Sequence, residues 1–340
     1  MNPNTPTAAS ITHSTVSGEH LCAKVLARYD LDFPVDCVFL QMGCNDTYRV
    51  RTGGQTLYLR VYRHGWRSRR QIEAEVEMLD FLSHREQPVS APVRRRDGRF
   101  LTRVSSPEGQ RYSVLFTEAP SDRGMRVAEH RDYGSTVAKL HSALDEWPIE
   151  TSRPQLGRAH LTTEPLSRIK PHMAHRPQDW AWLRSVTSAL WQSLEEAQIG
   201  ARNPEYGWCH GDLPNVHVDR SGRMTLFDFD CCGVGWRSYD IAVVLWLYSW
   251  VAYQGAWPRG RVARRWNQFL DGYSNVRGLS PVEISSTQIF VPLRHIWLMD
   301  LQLSTIGVQP LNRMGLGDLD TYLDSSLGFL RHWIDSRKLG

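Results

Sequence analysis

Apolar and polar side chains alternate through the N-terminal third of the chain at the two-residue period of β-strands. The segments Thr47–Arg51 and Leu57–Tyr62 show this alternation, and a Gly53-Gly54 pair lies between them. A two-residue Gly-Gly connection between such segments predicts a β-hairpin. Further strands are predicted at Val38–Met42, Phe100–Val104 and Tyr112–Phe116. We therefore expect a small antiparallel sheet in this part of the protein.

Helical spacing replaces the alternation elsewhere. Ser68 is a suitable N-cap for a helix that runs to about Ser83, because apolar residues recur there every three or four positions. A second apolar stripe extends from Tyr133 to Leu144, and the pattern after Tyr239 is mostly helical. A short helix is also predicted at residues 20–30, and a longer one at residues 177–197.

These patterns predict an α+β protein with two lobes. The turn-rich segment Glu118–Gly124 lies where the strand pattern gives way to the helical one. We accordingly expect a mobile tail at residues 1–19, a β-rich lobe at 20–117 and a larger helical lobe at 118–340.

The composition is that of an ordinary globular protein, with 41% apolar and 22% charged residues among 340. The longest apolar run, Ile241–Tyr253, is too short to cross a bilayer, and the N-terminal residues lack the pattern of a signal peptide. Six cysteines without a CxxC pair favour reduced thiols in the cytoplasm. The net charge of +4 is modest, and the arginine clusters lack interleaved aromatic residues. We expect neither a membrane nor a nucleic-acid partner, and a monomer or a homodimer.

The chemistry is concentrated between His210 and Asp230. Asp212 follows a His210-Gly211 turn, and Asp228 and Asp230 follow the apolar strand Met224–Phe227. One carboxylate can orient a hydroxyl nucleophile, while others hold Mg²⁺, which prefers oxygen ligands. Phosphoryl transfer depends on such positioning and charge stabilisation. The sequence therefore predicts a kinase.

Several motifs carry a resemblance to a known family. They are Gly43-x-Asn45-x-x-Tyr48-x-Val50, Leu59–Arg63, Glu75 in Glu-x-x-x-Leu, Leu140-His141, His210–Asp212, Asp228–Asp230 and Tyr239–Ala242. Over about residues 36 to 335 the chain resembles the aminoglycoside phosphotransferase and choline kinase-like superfamily, nearest to its homoserine-kinase-type and stress-response-kinase branch. The resemblance implies a bilobal protein-kinase-like fold and the use of ATP and Mg²⁺.

The resemblance also implies roles for individual residues. Asp212 would orient the acceptor hydroxyl and accept its proton. Asp228 would bind Mg²⁺, and Asp230 would bind a second metal ion or orient Asp228. His141, His210 and Asp240 are expected to make structural hydrogen bonds.

The catalytic loop departs from the family pattern. The family places its metal-binding Asn five residues after the Asp, whereas here Asn215 follows Asp212 by three residues and position five is His217. Three residues span up to about 10 Å, so Asn215 can still reach the metal. We expect Asn215 to take the catalytic and metal-binding role and His217 to pack in a strand, because imidazole is a poor ligand for Mg²⁺.

The nucleotide contacts are expected in the N-terminal lobe. No lysine occurs between Lys24 and Lys139, so Arg60 takes the place of the usual phosphate-binding lysine. Its natural partner is Glu75, and Glu73 and Glu77 are close alternatives. Gly43, Asn45 and Asp46 would form a turn over the phosphates. Backbone groups from Phe116 to Ala119, Glu118 among them, would contact adenine.

The acceptor is left open by the sequence. Acidic residues are sparse after Asp240, which disfavours a polycationic aminoglycoside, while tryptophans are frequent there. We expect a small alcohol such as an amino alcohol, a hydroxy amino acid or a natural product. A Ser/Thr protein kinase of the stress-response type and a nucleotide-binding pseudokinase are the alternatives.

Overall fold

The fold is described from a computed structural model that covers residues 11–121, 124–126, 128–149, 152–306 and 315–337. Its strands are β1 Val35–Met42, β2 Asp46–Thr52, β3 Gln55–Val61, β4 Thr102–Ser106, β5 Gly109–Thr117, β6 Tyr206–Cys209, β7 Val216–Val218, β8 Met224–Leu226 and β9 Gly233–Trp236. Its α-helices are α1 Gly18–Lys24, α2 Arg69–His84, α3 Glu129–Leu144, α4 Glu164–Ile169, α5 Pro177–Ala197, α6 Arg237–Tyr253, α7 Arg259–Ser274, α8 Pro281–Asp300 and α9 Leu319–Arg337. The chain divides into two compact units, in agreement with the expected α+β, two-lobed class.

Unit 1 contains the described residues up to Val76 together with Ser90–Glu118. Its centre is a five-stranded antiparallel sheet in the order β1-β2-β3-β5-β4. The predicted hairpin is present, with Thr52 paired to Gln55 and both intervening glycines at positive φ. Glycine adopts this backbone conformation without steric cost, which is why the pair marks the turn.

Part of the expected tail lies against unit 1. Ser14 Oγ donates to Glu108 Oε2 at 2.7 Å, and Tyr48 Oη donates to the carbonyl of Val16 at 2.7 Å. Helix α1 already begins at Gly18. Residues 11–19 therefore differ from the expected mobile tail because they supply hydrogen-bond partners to buried groups of the sheet, while residues 1–10 lie outside the described residues.

The boundary between the units differs from the single one expected between residues 117 and 118, because α2 is divided between the two units. Residues 77–89 belong to unit 2, where the backbone N–H of Leu226 donates to the carbonyl of Pro88 at 2.8 Å. The ring of Phe81 also contacts that of Trp147, with centroids 4.7 Å apart. These long-range contacts are the physical reason for the difference, since the periodicity of α2 does not reveal them.

Unit 2 is mainly helical and contains two small antiparallel ribbons, β6–β9 and β7–β8. Helix α3 packs closely on α7, and α6 packs on α8. Helix α8 is buried along most of its length. None of the helices in the described part of the chain is long and apolar enough to cross a membrane.

Candidate active site

The His210-Gly211 turn is held by the carboxylate of Asp240 at the start of α6. The backbone N–H groups of His210 and Gly211 donate to Asp240 at 2.7 and 2.8 Å. His141 on α3 contributes a third bond, from Nε2 to Asp240 Oδ2 at 2.9 Å, and its Nδ1 lies 2.8 Å from Tyr273 Oη. Asp240 and His141 are thus structural, as expected.

Burial sets the protonation of this pair. It lowers the pKa of His141 to about 4, assisted by the charge of Arg237. Burial alone would raise the pKa of Asp240, but hydrogen bonds from His141 and His210 lower it below its usual range. A neutral imidazole therefore donates to an ionised carboxylate.

His210 connects the catalytic turn with the strand before Asp228. Its Nδ1 accepts the backbone N–H of Asp212 at 3.1 Å, so the ring proton is on Nε2, which donates to the carbonyl of Phe227 at 3.0 Å. The hydrogen bonds thus determine the tautomer and fix the distance between the two segments. This outcome confirms the expected structural role of His210.

Gly211 is required by close packing. It has φ 79°, and a Cβ at this position would lie 2.2 Å from the carbonyl oxygen of Cys231. Only glycine allows the turn to approach the segment after Asp230 this closely. The His-Gly-Asp sequence is therefore a consequence of local geometry as well as chemistry.

Both oxygens of the Asp212 carboxylate have partners. Asn215 Nδ2 donates to Oδ2 at 2.9 Å, and Arg294 Nη2 donates to Oδ1 at 2.6 Å. The Asp212 side chain remains 29% exposed. The carboxylate is therefore fixed in orientation and still open to a reacting group.

Arg294 on α8 is a site residue that the sequence reasoning missed. Its side chain is 2% exposed, its Nη1 donates to the carbonyl of Gly211 at 3.1 Å, and its guanidinium lies over the ring of Trp297 at 4.5 Å. Burial lowers the pKa of Arg294, but its interactions with Asp212, Tyr239 and Cys231 together raise it by more, so the net shift is upward. A single arginine within the apolar segment Ile289–Leu298 is the signal that could have identified it.

Asp228 has an unusual backbone conformation, with φ 62° and ψ 60°. The left-handed region is costly for residues other than glycine, and such residues cluster at functional sites. The segment is held by the preceding residue, because the N–H of Phe227 donates to the carbonyl of Asn215 at 3.0 Å. The pairing of Val216 with Leu226 continues this alignment and brings the shortened loop beside the residue before Asp228.

The donor set of this region fits a magnesium ion. Since Nδ2 of Asn215 donates to Asp212, the amide Oδ1 is the atom available as a metal ligand. Asp228 adds a carboxylate, and Asp230 is buried in the short 3₁₀ turn Phe229–Cys231. The described residues contain no cluster of three His, Cys, Asp or Glu side chains suited to a metal. Mg²⁺ commonly uses only one or two protein carboxylates together with phosphate oxygens.

In unit 1, the expected ion pair between Arg60 and Glu75 is present. Arg60 Nη1 lies 2.7 Å from Glu75 Oε1, and Glu75 is fully buried. Tyr62 Oη donates to Glu75 Oε2 at 3.2 Å, and the guanidinium lies 4.9 Å from the ring centroid of Phe116. The pair therefore fixes the direction of the Arg60 side chain.

The turn after β1 is stabilised by its own contacts. The N–H of Gly43 donates to the carbonyl of Asn45 at 2.9 Å, and Asn45 Oδ1 accepts the N–H of Arg63 at 3.1 Å. Asn45 is buried, so its side-chain oxygen serves the turn. Asp46 is also buried and pairs with Arg111 at 2.7 Å.

The segment expected to contact adenine lies at the end of β5. Phe116 pairs with Tyr58 inside the sheet, and Glu118 follows the last strand residue. His217 lies on β7, as expected, and its Nδ1 is 2.7 Å from the carbonyl of Ala119. Because β5 ends at Thr117, the backbone of Glu118 lies outside the strand pairing.

An α+β chain with a fixed Asp in a His-Gly-Asp turn and a second Asp after a short ribbon has the features of a protein-kinase-like phosphotransferase. Comparison with known proteins agrees. Residues 42–279 match the phosphotransferase enzyme family, APH, and the chain belongs to this family. The family is one of phosphotransferase enzymes, which agrees with the kinase-type site.

Relatives and neighbours extend over nearly the whole chain. An uncharacterised protein of Deinococcus radiodurans is 33% identical over 330 residues, covering 94% of this chain and 91% of the relative. The structure of a microcompartment-associated aminopropanol kinase has a TM-score of 0.75 at 23% identity and covers 95% of this chain and 99% of its own. The structure of the amicoumacin kinase hAmiN with AMP-PNP, Ca²⁺ and Ami has a TM-score of 0.74 at 19% identity and covers 92% of this chain and 94% of its own.

Proposed function

We propose that this protein transfers the γ-phosphate of ATP, with Mg²⁺, to a hydroxyl group of a small molecule. The observation that supports it most is that Asn215 hydrogen-bonds both to the candidate base Asp212 and to Phe227, the residue before Asp228. Family membership supports the reaction class.

In the proposed reaction, the Asp212 carboxylate orients the acceptor hydroxyl and accepts its proton. The hydroxyl oxygen bonds to the γ-phosphorus as the bond to the β–γ bridging oxygen breaks, and ADP leaves. Asn215 and Arg294 hold one carboxylate oxygen each, so the base is positioned before the acceptor binds.

Mg²⁺ and Arg60 would neutralise the negative charge of the phosphates. Asp228, Asn215 and, in second place, Asp230 would hold Mg²⁺, which screens the phosphate oxygens when bound. Arg60, oriented by Glu75, would contact the α- and β-phosphates. The turn that contains Gly43 and Asn45 would lie over the phosphates, and Phe116 and Glu118 would border adenine.

The acceptor is proposed to be an amino alcohol, a hydroxy amino acid or a natural product. The aminopropanol kinase and the amicoumacin kinase, whose structures this chain resembles, act on small molecules, which supports this range. Six free cysteines support a cytoplasmic location. A monomer and a homodimer are both compatible with the proposal.

The decisive experiment measures Mg²⁺-dependent ADP release with a panel of amino alcohols, hydroxy amino acids and a generic protein substrate. Asp212→Asn is expected to lower kcat by roughly 10²- to 10⁴-fold, because it removes the proton acceptor. Asn215→Ala should raise the Mg²⁺ requirement. Asp219→Asn is the matched control, since Asp219 is held by Ser221 and Arg223 in the neighbouring turn and should leave activity unchanged.

Three results would contradict the proposal. Equal activity in wild type and Asp212→Asn would remove the carboxylate from the reaction. Turnover of the protein substrate alone would favour a protein kinase, and inertness of the wild type toward every acceptor, with ATP still bound, would favour a pseudokinase.

A further inference from the structure

Arg265 on α7 is a buried cation without a carboxylate partner in the described part of the chain. It is 8% exposed, its Nε donates to His130 Nε2 at 2.8 Å, and its guanidinium lies 4.0 Å from the ring centroid of Trp257. Its Nη1 is buried and has no hydrogen-bond partner. Buried charges in proteins are normally paired, so this guanidinium has unused binding capacity.

The donor and the acceptor of each hydrogen bond around Arg265 can be assigned. Arg265 can only donate, so His130 Nε2 must be the acceptor and the ring proton lies on Nδ1. His130 Nδ1 therefore donates to Tyr248 Oη, 2.6 Å away. The hydroxyl hydrogen of Tyr248 must then point elsewhere, and no described residue accepts it. This cluster of Arg265, His130 and Tyr248 therefore has two donors, Arg265 Nη1 and the Tyr248 hydroxyl, without a partner among the described residues.

The charges nearest to Arg265 do not compensate it. Burial lowers its pKa most, the guanidinium groups of Arg261 and Arg264 lower it further, and only Tyr248 opposes them. Both of these arginines are exposed on the same helix. A local excess of positive charge beside unused donors indicates an anionic ligand.

The cluster lies near the catalytic loop. His130 and Tyr133 are three residues apart on α3 and so share one face. Tyr133 Oη donates to the carbonyl of Leu213, the residue after Asp212. Tyr248 and Asp212 both contribute to the raised pKa of Tyr133, after its burial. The Tyr133 hydroxyl therefore lies near both the cluster and the candidate base.

A ligand would reach the cluster through the loop between α6 and α7 rather than through the helical core. Trp257 is half-buried and lies in the segment of residues 254–258 that joins α6 to α7. Its indole covers the Arg265 guanidinium. Movement of this surface segment would expose the unused donors without disrupting a helix.

We propose that Arg265, Tyr248 and Trp257 bind a carboxylate, and that this carboxylate belongs to the acceptor. The planar guanidinium fork and one hydroxyl match the two oxygens of a carboxylate, and the indole supplies a flat apolar wall. This inference rests on the proposed function and narrows its acceptor to a hydroxylated carboxylic acid.

The test compares acids with their neutral esters. The probes are 5-hydroxypentanoate, 6-hydroxyhexanoate and 8-hydroxyoctanoate and the three methyl esters, used in turnover assays and in melting-temperature shifts. The acids should be better acceptors by roughly tenfold to a hundredfold in kcat/KM, as one charged hydrogen bond allows. They should also raise the melting temperature when ATP is absent.

The variants assign the effect to this cluster. Arg265→Met and Tyr248→Phe should abolish the preference for acids, and Arg265→Lys should retain part of it. Arg184→Met is the control, because it removes an exposed arginine on α5, outside this cluster, and should keep the preference. Tyr248→Phe keeps the ring packing, so it decides the question if Arg265→Met does not fold.

Three outcomes would overturn the inference. Acids and esters could behave alike in wild type, or the preference could survive both Tyr248→Phe and Arg265→Met. Alternatively, acetate or inorganic phosphate could stabilise the protein through Arg265 without any preference in turnover, which would make the ligand a free anion. The melting-temperature readout does not need Asp212, so failure of phosphoryl transfer itself is detected separately.

Discussion

At the scale of single residues, the candidate base depends on a partner from a distant helix. Arg294 donates to Asp212, 82 positions earlier in the chain, and also to the carbonyl of Gly211. The two contacts fix both the carboxylate and the turn that carries it. An arginine fork makes such a paired contact, whereas a lysine ammonium makes only a point contact.

We predict that Arg294→Met lowers kcat by roughly tenfold to a hundredfold, the range expected for losing a charged hydrogen bond, with little change in the KM for ATP. The carboxylate would lose its orientation, while the nucleotide contacts remain. Arg294→Lys should recover part of the loss. Steady-state kinetics with the best acceptor of the panel would measure both constants.

The control for this prediction is Arg331→Met. Arg331 also pairs with an aspartate, Asp179, at 2.6 Å and also lies over a tryptophan, Trp182, but it is 44% exposed. Kinetic constants close to those of wild type are expected. If Arg294→Met keeps the wild-type kcat, Arg294 has only a structural role.

At the scale of elements, the crossing of α3 and α7 positions much of the site. A Cβ on Gly134 would lie 2.0 Å from the carbonyl oxygen of Phe269, and a Cβ on Gly272 would lie 1.8 Å from that of Arg131. Two helix backbones approach closely only where side chains are absent. Helix α3 carries Tyr133 and His141, which contact the catalytic loop and Asp240.

We predict that Gly272→Ala destabilises the protein by about 1–3 kcal/mol, the usual cost of overpacking, and lowers kcat by shifting α3. Gly260→Ala on the same helix should leave stability unchanged or slightly raised, because nothing lies within 4 Å of its Cβ position. Urea unfolding and turnover would be measured for both variants. Equal stabilities would show that the crossing tolerates a methyl group.

The elements predicted best are those with local signals. The hairpin at Gly53-Gly54 was predictable because its turn is defined by two residues, and helix α5 spans the predicted residues 177–197 because its periodicity is continuous. The N-terminal contacts of Ser14 and the division of α2 were missed, since both depend on partners far along the chain.

The same distinction applies to the candidate site. The turn, Asp212, Asp228 and the Arg60–Glu75 pair were recognisable from motifs and their spacing. Arg294 was missed, because an arginine in an apolar helix indicates a buried contact but does not identify the partner of that contact. The reach of Asn215 toward a metal ion could be argued from chain length, but its hydrogen bond to Asp212 required the structure.

At the scale of the whole molecule, unit 2 contains three buried histidines whose charged forms are disfavoured. Burial lowers the pKa of His130 and His141 to about 4 and that of His295 to about 3. In the unfolded chain a histidine titrates near 6.5. Below that pH the unfolded state binds protons that the folded state does not, so stability falls as pH falls from about 6.5 to about 4. Each histidine contributes a slope of up to about 1.4 kcal/mol per pH unit.

We predict that His295→Gln reduces the slope of unfolding free energy against pH in this window by up to about 1.4 kcal/mol per pH unit. Glutamine does not titrate, and its side-chain oxygen can accept the hydrogen bond that Trp246 Nε1 makes to His295 Nδ1 at 3.0 Å. Urea unfolding would be followed by tryptophan fluorescence, which reports mainly on unit 2 because only Trp66 of 13 tryptophans lies in unit 1. The difference in unfolding free energy between wild type and variant at pH 8 gives the cost of the substitution itself. The difference between their pH slopes gives the contribution of His295 titration. An unchanged slope would mean that protonation of the unfolded chain at His295 does not govern acid stability, and the buried carboxylate of Asp240 would then be the next group to test.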